Sequence, residues 1–311
     1  MKEKYKRLIY FLIFGLVMLA TSFMVGWNLA NRPQQSSNQL EILTPTDSVQ
    51  QSNSEVSNKT DTLLDNPNPS FDKAILEKIV ADFAHASDAR LSIVIEDLTN
   101  QDRLLSHNAE DIYPTASLYK LYLAYLVYED IDNNLLTLTQ PFFRHNLYRD
   151  LDLRTCLNLM IEVSDSPCGE ALLRHYGYPV IQTRLEKLDL KQIHAAGFRT
   201  SAEEMIKLLS LIYGDNLSED SRKRLLTAMH NQSYRRLLQP AFDNYAKVYN
   251  KTGTYLNQAG DNYNWIDVGI IELNDRNQVL AISVFQEDVL LEDLNILLDN
   301  LAQAIFDQSL E

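Results

Sequence analysis

Three stretches of the chain differ in how apolar and polar residues follow one another. Residues 8–27 are uncharged and largely apolar, residues 28–70 are polar without any periodicity, and residues 71–311 carry helix and strand patterns. An apolar run of 20 residues at about 1.5 Å each matches the roughly 30 Å hydrocarbon core of a bilayer. The pattern predicts a membrane-spanning helix (8–27), a disordered linker (28–70) and a single folded domain (71–311).

Within the domain, strand patterns lie at both ends and helical patterns lie between them. Apolar runs and alternation predict strands in LSIVIEDL (91–98), RLLSHN (103–108), AKVYNKTGTY (246–255), WIDVGIIEL (265–273) and NQVLAISVF (277–285). Helical spacing predicts helices within 70–87 and at 116–130, 153–163, 167–176, 178–187, 201–213, 219–230 and 289–307. Short turns between consecutive strands favour antiparallel pairing. We therefore predict a mixed α/β domain of the α+β type, with an antiparallel sheet, terminal helices against it, and an all-helical subdomain.

Basic residues before the apolar run set its predicted orientation. Residues 1–7 contain four Lys or Arg and a single Glu, and such positive segments stay on the cytoplasmic side. We predict a cytoplasmic tail (1–7), a single-pass anchor in the cell membrane, and an extracytoplasmic domain. A long secretory signal cut near Ala20 to Ser22 is the alternative interpretation.

Composition excludes several kinds of partner and site. The net charge of −14 argues against nucleic acid as a partner. The two cysteines, Cys156 and Cys168, are too few for a disulfide scaffold, and they either form one disulfide or stay as buried thiols. The six histidines are scattered, without ligand spacing to Cys, Asp or Glu, so we predict no metal and no other cofactor.

One lysine lies in an otherwise apolar helix, YPTASLYKLYLAYLVYED (113–130). Thr115 is placed to cap this helix, and Ser117 and Lys120 share a face at i and i+3. Burial among Leu and Tyr favours a neutral lysine, and a neutral amine beside a hydroxyl is a general base beside a nucleophile. The alternative is a chance S-x-x-K pattern whose lysine extends its amine to water.

Two further motifs follow in order, SDS (164–166) and, in a predicted strand, KTG (251–253). The succession of S-x-x-K, S-D-x and K-T-G resembles the serine penicillin-recognising enzymes, and most closely the class A β-lactamases. The resemblance extends over residues 80–308. It implies a β-lactamase/transpeptidase-like fold for the domain.

The resemblance also implies catalytic roles. Ser117 is the expected nucleophile that forms an acyl-enzyme, and Lys120 is its base or a proton relay. Ser164 is expected to pass a proton toward the leaving nitrogen, although it is also placed to cap the following helix. Lys251 is expected to add positive charge near Ser164 and the substrate carboxylate.

Four residues are expected to bind substrate by the same resemblance. Thr252 would hydrogen-bond the substrate carboxylate, and Gly253 would let a substrate backbone lie against the strand. The backbone N–H groups of Ser117 and Thr254 would form an oxyanion hole. Ser166 stands where class A enzymes have asparagine, which leaves contact with the substrate amide in question.

The segment KQIHAAGFR (191–199) departs most from the family. Class A β-lactamases carry here a glutamate that activates water for deacylation, whereas this segment contains no acid. Glu186, Glu203 and Glu204 flank the segment at positions that do not match. Unless Lys120 or Lys251 activates water, the acyl-enzyme is expected to persist.

A second departure concerns the substrate carboxylate. No arginine follows K-T-G on the strand to hold this group. We therefore expect Arg235 or Arg236, from the preceding segment, to serve instead.

Three functions agree with these observations. The leading prediction is a membrane-tethered serine hydrolase that opens β-lactam amides through an acyl-enzyme on Ser117. The alternatives are a penicillin-binding-protein-like D,D-peptidase acting on peptidoglycan peptides, and a β-lactam or cell-wall binding module without turnover. The predicted partners are a β-lactam or a cell-wall peptide, and the membrane through the N-terminal helix. We predict a monomer.

Overall fold

The computed structural model describes residues 71–86, 90–144, 150–257, 259–260, 262–273 and 277–307. The predicted tail, spanning helix and linker (1–70) lie outside these residues. Within the described ranges, no helix is long and apolar enough to cross a membrane.

Every helix and strand predicted from the sequence occurs, with small shifts at the ends. The helices are α1 Lys73–Ala86, α2 Tyr119–Asp132, α3 Leu153–Glu162, α4 Ser166–Tyr176, α5 Tyr178–Lys187, α6 Ala202–Tyr213, α7 Glu219–His230, α8 Leu238–Phe242 and α9 Leu291–Asp307, with a 3₁₀ turn Ala116–Leu118 before α2. The strands are β1 Arg90–Asp97, β2 Asp102–His107, β3 Tyr113–Pro114, β4 Pro141–Arg144, β5 Asp150–Asp152, β6 Arg199–Thr200, β7 Lys247–Leu256, β8 Tyr263–Leu273 and β9 Gln278–Glu287. The sequence did not predict α8 or β3 to β6, because elements of two to five residues are too short to show a period.

Five strands form one antiparallel sheet in the order β2-β1-β9-β8-β7. Successive side chains of β1 point to opposite faces. Ile93 and Ile95 pack in one apolar cluster with Leu297 of α9, while Val94 packs in a second cluster with Leu209 of α6. The terminal helices therefore cover one face of the sheet and the helical block lies on the other, which confirms the predicted fold class.

Side-chain caps explain where several helices begin. Asp152 accepts a hydrogen bond from the Thr155 N–H at the start of α3, and Ser201 accepts one from the Glu204 N–H at the start of α6. At α4 the cap is Asp165, and not Ser164 as suggested from the sequence. Each such bond satisfies a backbone donor that has no partner inside the helix.

Helix α2 is buried on all sides, as its sequence predicts. Every residue from Lys120 to Tyr128 is buried. The predicted cap is wrong, however, because Thr115 makes no side-chain capping bond and has helical dihedral angles (φ −74°, ψ −21°). These angles continue the turn instead of giving the extended geometry of an N-cap.

The short segment between α5 and α6 is held against the residues that precede the 3₁₀ turn. Strand β6 pairs with β3, and the Thr115 N–H donates to the Phe198 carbonyl at 2.7 Å. The Gln192 N–H donates to the buried Glu204 carboxylate at 3.0 Å. These bonds fix residues 191–199 beside Ser117.

A disulfide links helices α3 and α4. Cys156 and Cys168 form a disulfide, with their Cα atoms 5.4 Å apart. Of the two states left open by the sequence, the structure has the disulfide. It links the helix before the SDS motif to the helix after it.

Candidate active site

The three motifs meet around two lysine side chains. Lys120 Nζ lies 3.2 Å from Ser117 Oγ, 3.2 Å from Ser164 Oγ and 2.5 Å from the Ser164 carbonyl oxygen. Lys251 Nζ lies 3.1 Å from the same Ser164 Oγ. The Ser164 hydroxyl therefore bridges the two lysines, and Lys120 connects it to Ser117. We call these four residues the lysine network.

Burial lowers the pKa of both lysines and so favours their neutral forms. Lys120 is 1% exposed and Lys251 is fully buried. Burial lowers the pKa of Lys120 to about 8, against an opposing effect of the nearby Asp165 and Glu170 charges. Burial, and then the charge of Lys120, lower the pKa of Lys251 to about 7. Because desolvation disfavours the ammonium form, either amine can hold or release a proton near neutral pH.

Gln232 holds Lys251 and the neighbouring residues of strand β7 by hydrogen bonds. Its Oε1 accepts hydrogen bonds from Lys251 Nζ (3.1 Å), the Thr252 N–H (3.0 Å) and Thr252 Oγ1 (2.9 Å). Its Nε2 donates to the Asn250 carbonyl at 3.2 Å. The sequence analysis missed this residue, since a lone glutamine in the polar segment after α7 carries no periodic signal.

A buried acid lies on the neighbouring strand β8. Both carboxylate oxygens of Asp267 accept from Asn250 Nδ2 at 2.9 Å, and Oδ2 also accepts from the Leu238 N–H at 3.1 Å. Burial raises the pKa of Asp267 to about 7, while the Asn250 bond opposes this shift. Its hydrogen bonds anchor Asn250, which directly precedes the K-T-G motif.

Gly253 allows strand β7 to contact the turn that carries the nucleophile. A Cβ atom at this position would lie 3.1 Å from Ala116 Cβ and 2.9 Å from Ile266 Cγ1. Contacts this short leave no room for a side chain. Gly253 therefore brings the backbone of β7, including Thr254, against the residue before Ser117.

Two non-glycine residues of the site have left-handed backbone conformations. Ala116, directly before Ser117, has φ +41°, and Ser164 has φ +57°. Such conformations cost on the order of 1 kcal/mol or more each and cluster at functional sites. They aim Ser117 and Ser164 toward Lys120.

A cavity of about 760 Å³ opens beside the network. Ala116 and Ser166 line it, and Ser166 Oγ lies 3.4 Å from Lys120 Nζ. Aromatic rings of Tyr119, Phe198 and Tyr178 form one wall, with ring centroids 5.1 Å apart for Tyr119 and Phe198 and 5.8 Å apart for Tyr178 and Phe198.

Charged residues of α4 line the same cavity. Glu170 and Arg174 follow Ser166 along this helix, and the sequence analysis singled out neither of them. Phe198 belongs to the segment 191–199, so the stretch that lacks an acid contributes a ring to the cavity instead.

Arg235 and Arg236, the two residues predicted to hold the substrate carboxylate, are not part of the lysine network. Arg235 forms an ion pair with Asp243, and it lines a separate cavity with His230 and Tyr245. Arg236 is exposed. Both roles stay predictions.

Comparisons with known proteins concern the family and the fold of the chain. A model of the "Beta-lactamase enzyme family" matches residues 74–309, and no curated protein matches the chain. Similar solved structures include a beta-lactamase from Xanthomonas campestris pv. campestris, with 20% identity over 76% of this chain and 97% of that one and a TM-score of 0.67. Another is a beta-lactamase from Chitinophaga pinensis, with 22% identity over 74% and 97% and a TM-score of 0.66.

A third is the TLA-1 extended spectrum beta-lactamase, with 19% identity over 77% of this chain and 99% of that one and a TM-score of 0.69. At such identities the structures share the fold. The family model spans three motifs and nearly all of the folded domain, and this chain therefore belongs to the beta-lactamase enzyme family.

Proposed function

We propose that the chain is a serine hydrolase that opens β-lactam amides by forming an acyl-enzyme on Ser117. The observation that carries this proposal is the contact of 3.2 Å between Ser117 Oγ and the buried amine of Lys120. Because burial lowers the pKa of Lys120 to about 8, part of the protein has a neutral amine ready to accept a proton at neutral pH.

The contacts within the lysine network suggest the steps of acylation. Neutral Lys120 takes the proton of Ser117 Oγ as this oxygen attacks the amide carbonyl carbon. The carbonyl oxygen becomes an oxyanion, for which the N–H groups of Ser117 and Thr254 are the proposed donors. The C–N bond then breaks, and the leaving nitrogen takes the proton of Ser164 Oγ. Lys120 or Lys251, both within 3.2 Å of that oxygen, returns a proton to it.

The remaining motif residues are proposed to bind the substrate. Ser166 faces the cavity next to Lys120 and is suited to contact an amide of the substrate. Lys251 supplies positive charge for the carboxylate. Thr252 donates its hydroxyl proton to Gln232 in this structure, so a hydrogen bond to the substrate carboxylate requires this hydroxyl to rotate away from Gln232.

Intact-mass spectrometry after exposure to a penicillin tests the proposal. We expect the wild type to gain one penicillin mass, located on Ser117 by peptide mapping, and Ser117→Ala to gain none. Ser106→Ala, an exposed serine on β2, is the matched control and should acylate as the wild type does. A wild type without any adduct, and without hydrolysis of the drug, would contradict the proposal.

The D,D-peptidase is the second candidate. It is favoured by the absence of an acid in residues 191–199, because a persistent acyl-enzyme is typical of penicillin-binding proteins. Sustained hydrolysis of a chromogenic cephalosporin supports the β-lactamase, whereas a single stoichiometric burst supports the peptidase. A binding module without turnover would give neither an adduct nor hydrolysis.

We further propose that residues 8–27 anchor the chain in the cell membrane, with residues 1–7 cytoplasmic and the domain outside. The apolar length and the basic flank support this proposal. Fractionation of cells should recover the full chain in membranes after alkaline washing, and external protease should remove the domain. The monomeric state stays a prediction, and light scattering of the full chain in detergent would test it.

A further inference from the structure

One face of helix α4 contacts the lysine network at one end and lines the cavity along its length. Ser166, Glu170 and Arg174 are spaced four residues apart, so they lie on the same face of this helix. All three line the cavity of about 760 Å³. Ser166 Oγ is 3.4 Å from Lys120 Nζ, so Glu170 stands one helical turn beyond a residue that contacts the network.

The turn of α4 that bears Glu170 packs closely on the side chains of Tyr119 and Lys120. The preceding residue is Gly169, and a Cβ atom there would fall 3.3 Å from Lys120 Cε and 2.6 Å from Tyr119 Oη. Helix α4 therefore packs its backbone directly on the base of the site. The closeness has an electrostatic effect, since the negative charge of Glu170 raises the pKa of Lys120 against the larger effect of burial.

The Glu170 carboxylate is accessible to water. Its side chain is 60% exposed, and Arg174 Nη1 lies 3.7 Å from Glu170 Oε2. That separation is an ion pair but is too long for a hydrogen bond. The carboxylate oxygens therefore keep lone pairs with which to accept a proton from a water molecule in the cavity.

Other acids around the site are engaged in structural contacts. Asp165 accepts the capping bond from the Cys168 N–H at 2.8 Å. Glu203 pairs with Arg103, and Glu186 bonds to Gln182 on α5. Unlike these three acids, Glu170 lines the cavity that is also lined by Ala116, the residue before the nucleophile.

We propose that Glu170 is the general base of deacylation, taking the place of the acid that the segment 191–199 lacks. The inference rests on the acyl-enzyme proposed above. The oxygen of a water molecule attacks the ester carbonyl carbon on Ser117 while Glu170 takes one proton of that water. The bond from carbon to Ser117 Oγ breaks, and this oxygen regains a proton from Glu170, directly or through Lys120. The products are the free acid of the substrate, the Ser117 hydroxyl and the Glu170 carboxylate.

The test compares acylation and deacylation in the full chain and in Glu170→Gln. The protein is exposed to a penicillin, the excess drug is removed, and the adduct is followed by intact mass. We expect the rate of acylation to stay within about threefold and the decay of the adduct to slow by about 10²- to 10³-fold, as for loss of a general base. Glu186→Gln, an exposed acid on α5, is the charge-matched control and should decay at the wild-type rate.

Two variants separate a base from a residue that only positions others. Arg174→Gln removes the ion-pair partner, and it should slow the decay far less than Glu170→Gln does. In Glu170→Ala, sodium formate should restore the decay in proportion to its concentration, because the open cavity admits a small carboxylate. Sodium chloride at equal ionic strength should not restore it. Equal slowing in Arg174→Gln, or no rescue by formate, would overturn the inference.

Failure of the inference is distinguishable from failure of the proposed function. A wild-type adduct as persistent as that of Glu170→Gln overturns the role of Glu170 and leaves acylation on Ser117 standing. A wild type that neither forms an adduct nor hydrolyses the drug overturns both.

Discussion

The two sides of Ser117 are built in opposite ways. On one side, Lys120 is 1% exposed and Lys251 fully buried, and both amines are surrounded by oxygen acceptors. On the other side, Glu170 and Arg174 are 60% and 63% exposed, and the contact between them is a loose ion pair of 3.7 Å. The difference teaches that the fold fixes the amines proposed to move protons in acylation, whereas the charged groups of the cavity are exposed to water.

Burial has different consequences on the two sides. In the lysine network, desolvation lowers the pKa of each amine, and hydrogen bonds hold each atom in one place. In the cavity, solvent screens the charges and the side chains can rotate. We therefore expect substitutions in the network to change the chemistry, and to lower stability as well where they leave a buried polar group without its partner. Substitutions in the cavity should change the chemistry alone.

The largest effect should come from Lys120→Met, which keeps the volume of the side chain and removes the base. We expect the rate of acylation by a penicillin to fall by about 10²- to 10⁴-fold. Stability should fall little, since exchanging a buried charge for an apolar group is often neutral or stabilising. Intact mass against time and thermal unfolding measure the two effects. Acylation at the wild-type rate would assign the base to Lys251.

Next in size is the disulfide between α3 and α4. Replacing Cys156 and Cys168 by Ala should lower the free energy of unfolding by about 3 kcal/mol, as expected for a short closed loop. Acylation should persist below the unfolding transition, because the hydrogen bonds of the network do not involve sulfur. Urea unfolding followed by tryptophan fluorescence gives the free energy. A reductant should shift the wild type in the same direction and leave the double variant unchanged.

A smaller effect is expected from Gln232→Leu. The substitution leaves donors of Lys251 and Thr252 without their acceptor, which should cost about 1 to 3 kcal/mol of stability and slow acylation about tenfold by releasing β7. Gln239→Leu is the matched control, since this glutamine is also buried but lies outside the network. It should lower stability without slowing acylation. Equal slowing in both variants would show that the effect is not specific to the network.

The smallest effect is the dependence of acylation on pH. Only the neutral amine of Lys120 can take the proton of Ser117, and its pKa is lowered to about 8. The neutral fraction, and with it the rate, should rise with pH below this value and level off above it. We expect a gain of about tenfold between pH 7 and 9. A rate that stays flat over this range would indicate that Lys120 is not the group that titrates.

The lysine network was predictable because its members belong to short motifs with a chemical logic. Ser117 and Lys120 share a helix face at i and i+3, and the order of the three motifs placed Ser164 and Lys251 beside them. Their distances of 3.1 to 3.2 Å in the structure agree with that prediction. The α+β fold was predictable for a similar reason, since long strands and helices show their period.

The supporting and cavity residues were not predictable from local patterns. Gln232 reaches Thr252 across 20 residues, and Gly169, which lets α4 approach Lys120, belongs to none of the three motifs. Thr115 matches the capping preference in sequence, yet the pairing of β3 with β6 and the bond to Phe198 hold it in the turn. Contacts set by tertiary packing override such preferences.

The order of strands in the sheet has a consequence for how a newly made chain folds. Strand β1 pairs with β9, so that Arg90 lies opposite Glu287, and the edge strand β7 carries Lys251. Pairings this distant in sequence close slowly during folding. A nascent chain has Ser117 and Lys120 long before β7 and β9 are synthesised, but it lacks the strands that complete their surroundings. The surroundings of Ser117 and Lys120 are therefore complete only after the last part of the chain has been made and folded.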